Sequence, residues 1–126
     1  MLSYDESVAL CERLHHEALA CIPEFVELNI ELRIKYSPEF AEAMKDPAAR
    51  KEASEIGRRE TVSDAGNAHA RCQEFAKPEW GPPQPRTDLA VLESCYAKPA
   101  CGDKISCLRP VSEPRFKYRA ERHSRH

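Results

Sequence analysis

Six cysteines, at positions 11, 21, 72, 95, 101 and 107, constrain this chain more than any other feature. A segment that cannot be helical, residues 77–87 (KPEWGPPQPRT), holds four of the ten prolines and separates the cysteines three from three. With an odd number on each side, complete pairing within one chain forces at least one bridge across the linker. That holds for every one of the connectivities open to six cysteines. Such a bridge closes a long loop, which chain-entropy arguments value at about 3–4 kcal/mol.

Helix geometry removes some pairings. Cys11 and Cys21 lie about 15 Å apart if they share one helix, too far to bond. Cys101 and Cys107 would be separated by about 9 Å along a helix. Cys95 can reach either Cys101 across the Lys98-Pro99 turn or Cys107 across a hairpin. Cys11 with Cys72, across a helical hairpin, is the favoured amino-terminal pair.

The rest of the pattern predicts helices. Val8, Cys11, Leu14, Ala18 and Cys21 recur at helical spacing, with Ser3 or Asp5 as the cap. Pro23 either kinks this helix or opens the next. Residues 26–36 alternate apolar and polar without a break, which is strand-like, but no good partner strand exists and the flanks are helical; helix is preferred. Ser37-Pro38-Glu39 and Asp46-Pro47 are helix starts. The second helix runs toward Thr61 before a turn at Ser63–Asn67, and a last piece spans Ala68 to Ala76. Beyond the linker, Thr87 and Asp88 open one short helix and Pro99 another, ending near Arg109-Pro110.

The expected fold is therefore all-α: a disulfide-stapled helical bundle (1–76), a proline-rich linker (77–87), a short carboxy-terminal helical hairpin clamped to the bundle (88–109) and a basic surface tail (110–126). From Arg109 onward six basic residues face two acidic ones. That is a net +4, leaving −6 elsewhere in a chain of formal charge −2. Such a tail can fold back on the acidic body or meet an acidic partner.

No apolar run is long enough to span a bilayer, and the first residues lack the pattern of a signal peptide. Six cysteines nevertheless favour an oxidising, extracytoplasmic location, secreted, periplasmic or envelope, unless they bind metal. A 126-residue chain with 41% hydrophobic residues can bury a core in either setting.

Chemistry-bearing motifs are sparse. There is no Gly-rich phosphate loop and no nucleophile elbow, so no catalytic residue is assigned and an enzyme is not expected. Cys11 and His15 share one helical face, as do His69 and Cys72. On antiparallel helices these four could form a Cys2His2 zinc site. Glu12-x-x-His15 matches one half of a di-iron carboxylate unit, with Glu24, Glu27 and Glu31 nearby, but a second half is missing. Trp80 can pin the linker to the body or anchor a partner. Arg115, Phe116, Lys117, Tyr118 and Arg119 mix basic and aromatic side chains, a pattern that suits an acidic protein surface better than nucleic acid in a chain of net negative charge.

Cys11-x9-Cys21 resembles half of a twin C-x9-C helical protein, but no second half exists. The Cys-bearing first helix, the YSPEF helix start at 36–40 and the C-x5-C-x5-C unit of Cys95, Cys101 and Cys107 together resemble small six-cysteine helical proteins of myxobacterial type. The resemblance implies a secreted or envelope location and no mechanism. The function expected is a non-enzymatic, disulfide-stabilised binding or structural module without a cofactor, meeting a protein partner. The alternative is a zinc-binding helical protein using Cys11, His15, His69 and Cys72.

Overall fold

The computed structural model describes residues 1–124. It is an all-α, disulfide-stapled bundle: α1 Tyr4–Ala18, α2 Ile22–Tyr36, α3 Pro38–Ala43, α4 Pro47–Gly66, α5 Ala68–Phe75, α6 Thr87–Tyr96, α7 Cys101–Cys107 and α8 Arg109–Ser124. A 3₁₀ turn, Leu19–Cys21, joins α1 to α2.

Local chemistry sets the helix starts. Ser3 and Glu6 form a reciprocal capping box at α1. Pro23 lies in the first turn of α2, where a missing N–H is harmless. Ser37 Oγ accepts from the Phe40 N–H at 3.2 Å, and Asp46 Oδ1 accepts from the Ala48 N–H at 3.2 Å. Each of these caps precedes a proline.

The alternating segment is helix α2, and its pattern has a physical cause. On a helix, Val26 and Ile30 form one stripe, Leu28 and Leu32 another, about 160° around the axis. All four are buried. Leu28 and Leu32 join one core with Leu10, Cys21, Leu92, Cys95, Ile105, Leu108 and Val111. Val26 turns the other way, toward α4, where it lies against Gly57. The helix is sandwiched, so two faces are apolar.

That core draws side chains from both sides of the linker. The linker itself is tied down. The Leu2 N–H donates to the Gln84 carbonyl at 2.9 Å, and Arg86 grips both carboxylate oxygens of Glu6 at 2.8 and 2.9 Å.

The carboxy-terminal segment departs from the expected surface tail. Residues 109–124 are helix α8. Arg109-Pro110 is a helix start rather than a stop, because Pro110 occupies the first turn, where its lost N–H has no intrahelical partner. Pro114 is also accommodated inside this helix. Val111 is buried in the shared core, and Phe116 packs against it. His126 and Arg125 of the expected tail lie outside the described residues.

Candidate functional site

All six cysteines are paired: Cys11–Cys72, Cys21–Cys101 and Cys95–Cys107, with Cα–Cα separations of 5.6, 5.4 and 5.4 Å. Cys21–Cys101 is the bridge that crosses the linker, from the 3₁₀ turn to the first residue of α7. Cys95–Cys107 closes the hairpin of α6 and α7. Cys11–Cys72 ties α1 to α5 and is buried with Val8 against Phe75 and Ala76.

His15 lies beside this last bridge. One of its ring nitrogens and the two sulfurs lie within 4.8 Å of one another. The imidazole is half-buried, its Nδ1 is enclosed without a hydrogen-bond partner, and its ring stacks on Phe75 at 6.4 Å. Burial pushes its pKa down; Asp64 opposes this, and Arg115 and Arg71 add to the depression. His69, the fourth residue of the expected zinc set, does not join the group. It is exposed and bonds Glu12 Oε1 through Nδ1 at 2.6 Å. Glu12 is thereby engaged away from His15. Glu27 pairs with Arg50, and Glu31 with Arg109 at 2.7 Å. These acids serve as links between helices, and no di-iron set is assembled among the described residues.

Phe75 is the hub of a second cluster. Trp80 meets it edge-on at 5.9 Å, and the guanidiniums of Arg115 and Arg119 lie over it at 5.5 and 5.8 Å. Arg119 also lies 5.1 Å from the Trp80 ring. Trp80 Nε1 donates to Glu74 at 3.0 Å, Tyr118 donates to the Pro78 carbonyl at 2.7 Å, and Arg119 Nε donates to the Trp80 carbonyl at 3.3 Å. Of the residues expected to bind a partner, Trp80, Arg115, Tyr118 and Arg119 thus hold α8 and the linker together, Phe116 faces the core, and Lys117 is exposed.

Beside this cluster runs an open groove of about 1110 Å³ between α1, α2, α4, the linker and α8. Its cause is in α4. Ala49 and Ala53, one turn apart along the helix, line the groove, whereas at Gly57 the helix closes on Val26. Their small side chains leave space that larger ones would fill. Of α4, only Thr61 is fully buried. His15, Phe75, Arg115 and Arg119 form part of the same lining.

Arg115 stands out in this wall. Among the described residues it has no ion-pair or hydrogen-bond partner, and burial, with Arg119 alongside, pushes its pKa down to about 10. Of the acids lining the groove, Asp64 is paired with Arg71 at 3.2 Å and Asp88 accepts from Gln84 at 3.0 Å, while Glu52 and Glu60 lie on α4. The groove itself was not visible in the sequence. The one trace of it is the alanines at 49 and 53, which read equally as ordinary helix formers.

No protein-family model, curated protein or solved structure matches the chain. Among the described residues, no helix is long and apolar enough to cross a membrane.

Proposed function

We propose that this protein is a non-catalytic binding module of an oxidising, extracytoplasmic compartment, and that the groove between α1, α2, α4 and α8 is where it binds. The observation that carries this reading is a groove of about 1110 Å³ in a domain whose packing is otherwise tied by three bridges. A lasting apolar concavity with a few polar groups is the usual form of a ligand site. One bridge, Cys11–Cys72, anchors a wall of the groove, α1, to α5. An oxidising compartment is where three such bridges persist.

The test is a titration of the oxidised protein with the neutral apolar dye Nile red. Saturable binding is expected, and Ala53→Trp, which fills the groove from α4, abolishes it. Absence of saturable binding, or binding that Ala53→Trp leaves unchanged, rules the reading out.

A second reading rests on the proximity of Cys11, His15 and Cys72. If the Cys11–Cys72 bridge is reduced, two thiolates and an imidazole become a three-ligand set for zinc, with His69 held by Glu12 rather than contributing. Intact mass separates the two. Protein alkylated before reduction should carry no label and gain about 6 Da on reduction if all three bridges are native. Labelled thiols together with bound zinc favour the metal reading.

A further inference from the structure

We propose that the groove takes a long-chain carboxylate, an unbranched fatty acid whose carboxylate is held by Arg115. This rests on the groove being the binding site, and adds to it the chemical class of the ligand.

Arg115 supplies the head-group site. It is a groove-lining guanidinium with no carboxylate within ion-pair distance among the described residues. Its neighbours deepen that deficit: Arg119 is a second cation one turn along α8 that disfavours the charge on Arg115, and Arg115 in turn disfavours the protonated form of His15. A charge taken from water without a counter-charge is unfavourable, and an incoming anion relieves it. The Phe75 face stabilises the guanidinium only in part.

The form of the deficit selects a carboxylate. Arg119 spends its Nε on the Trp80 carbonyl, whereas no hydrogen bond engages the Arg115 guanidinium among the described residues, so its planar fork is free to meet an anion. A single fork matches the two oxygens of one carboxylate. A phosphate dianion brings a second negative charge, which the acids of the same lining, Glu52, Glu60 and Asp64, disfavour. The remaining lining explains the chain. Leu10, Leu14, Val26, Ile30 and Ile56 offer an apolar path along α1, α2 and α4, and Ile56 is exposed for a large aliphatic side chain, at 38%. A bound acyl chain would cover it.

The test uses the full-length oxidised protein and three probes of equal chain length: palmitate, hexadecanol and hexadecyl phosphate, titrated calorimetrically below their critical micelle concentrations. Palmitate is expected to bind one to one and about ten-fold tighter than hexadecanol, the scale of one charge-assisted bidentate contact. Arg115→Met should remove that preference, and Lys117→Met, the same charge change at an exposed site outside the groove, should retain it. If Arg115→Met loses its helical circular dichroism, Arg115→Lys, which keeps the charge and loses the fork, carries the comparison, with the preference expected to shrink at least about three-fold. Equal binding of palmitate and hexadecanol, a preference that survives at Arg115→Met, or tighter binding of hexadecyl phosphate would each overturn the carboxylate assignment. Nile red binding that Ala53→Trp blocks would leave the groove standing in each of those cases. Silence of all three probes alongside Nile red binding overturns the fatty-acid assignment alone.

Discussion

Gly57 shows how little freedom single positions have where α4 closes on α2. A Cβ there would lie 2.7 Å from Val26 Cγ1. Val26 is only 4% exposed and β-branched, so it cannot swing aside cheaply. Ala at this site gains about 1 kcal/mol in helix propensity but meets an overpacking penalty of about 1–3 kcal/mol. Gly57→Ala should therefore lower stability by about 1 kcal/mol. Gly66→Ala, with nothing within 4 Å of its Cβ, should raise it by about 0.5 kcal/mol. Urea unfolding of the two variants checks the opposite signs. His15 gives a residue-level pH effect. Its pKa is lowered in the folded chain from 6.5, chiefly by burial. The unfolded chain then binds a proton that the folded one refuses, so stability falls as pH drops below 6.5 and levels off below the folded value. His15→Phe should flatten that part of the stability profile, measured as urea midpoints between neutral and mildly acid pH.

At the scale of elements, α8 has the most to say. Glu113 on its second turn accepts from Lys35 Nζ and from the Tyr36 hydroxyl, both at 2.6 Å, and so joins α8 to the end of α2. Those partners, with Arg109 alongside, hold its carboxyl below the ordinary 4.5. A lowered carboxylate pKa gives stability that is present above the unfolded value and lost as pH falls through the folded one. Glu113→Gln should therefore match the parent in acid and fall below it at neutral pH. Thermal midpoints at the two pH values check this, and a constant difference would tell against the linkage. The helix also marks where sequence reasoning stopped. The starts of α1, α3 and α4 were legible because caps and first-turn prolines are local signals. The helical state of α2 was legible only indirectly, since its alternation reflects two buried faces and no local rule separates a sandwiched helix from a strand. α8 was missed because Pro110 carries the same letter whether it ends one helix or begins the next. The deciding fact is tertiary: Val111 and Phe116 find a core assembled from α2, α6 and α7. The groove was illegible for a related reason. It is a gap between helices, and a sequence lists side chains that are present. The cluster of His15, Phe75, Trp80 and Arg115 likewise spans four separated segments that only packing brings together.

For the molecule as a whole, the question is whether the two sides of the linker are held by the Cys21–Cys101 bridge or by the core beneath it. The bridge closes a separation of 80 residues, against 12 for Cys95–Cys107. Loop entropy alone then ranks them at about 4–5 and about 3 kcal/mol. Cys21→Ala/Cys101→Ala should accordingly lower the urea midpoint more than Cys95→Ala/Cys107→Ala. It should not split the transition. Leu28 and Leu32 of α2 pack in one cluster with Leu92, Ile105, Leu108 and Val111, so melting either side strips apolar cover from the other. The linker adds its own ties through Leu2, Glu6 and Phe75. Trp80, the single tryptophan, sits in the linker and reports its docking by fluorescence, while circular dichroism reports the helices. In the Cys21→Ala/Cys101→Ala protein the two signals should change together in urea. A tryptophan transition that runs well ahead of the helical one would mean that the bridge is what holds the linker and α8 on the bundle. In that case the wall of the groove carrying Arg115 would depend on that single covalent link, and ligand binding would be lost on its removal even where the helices persist.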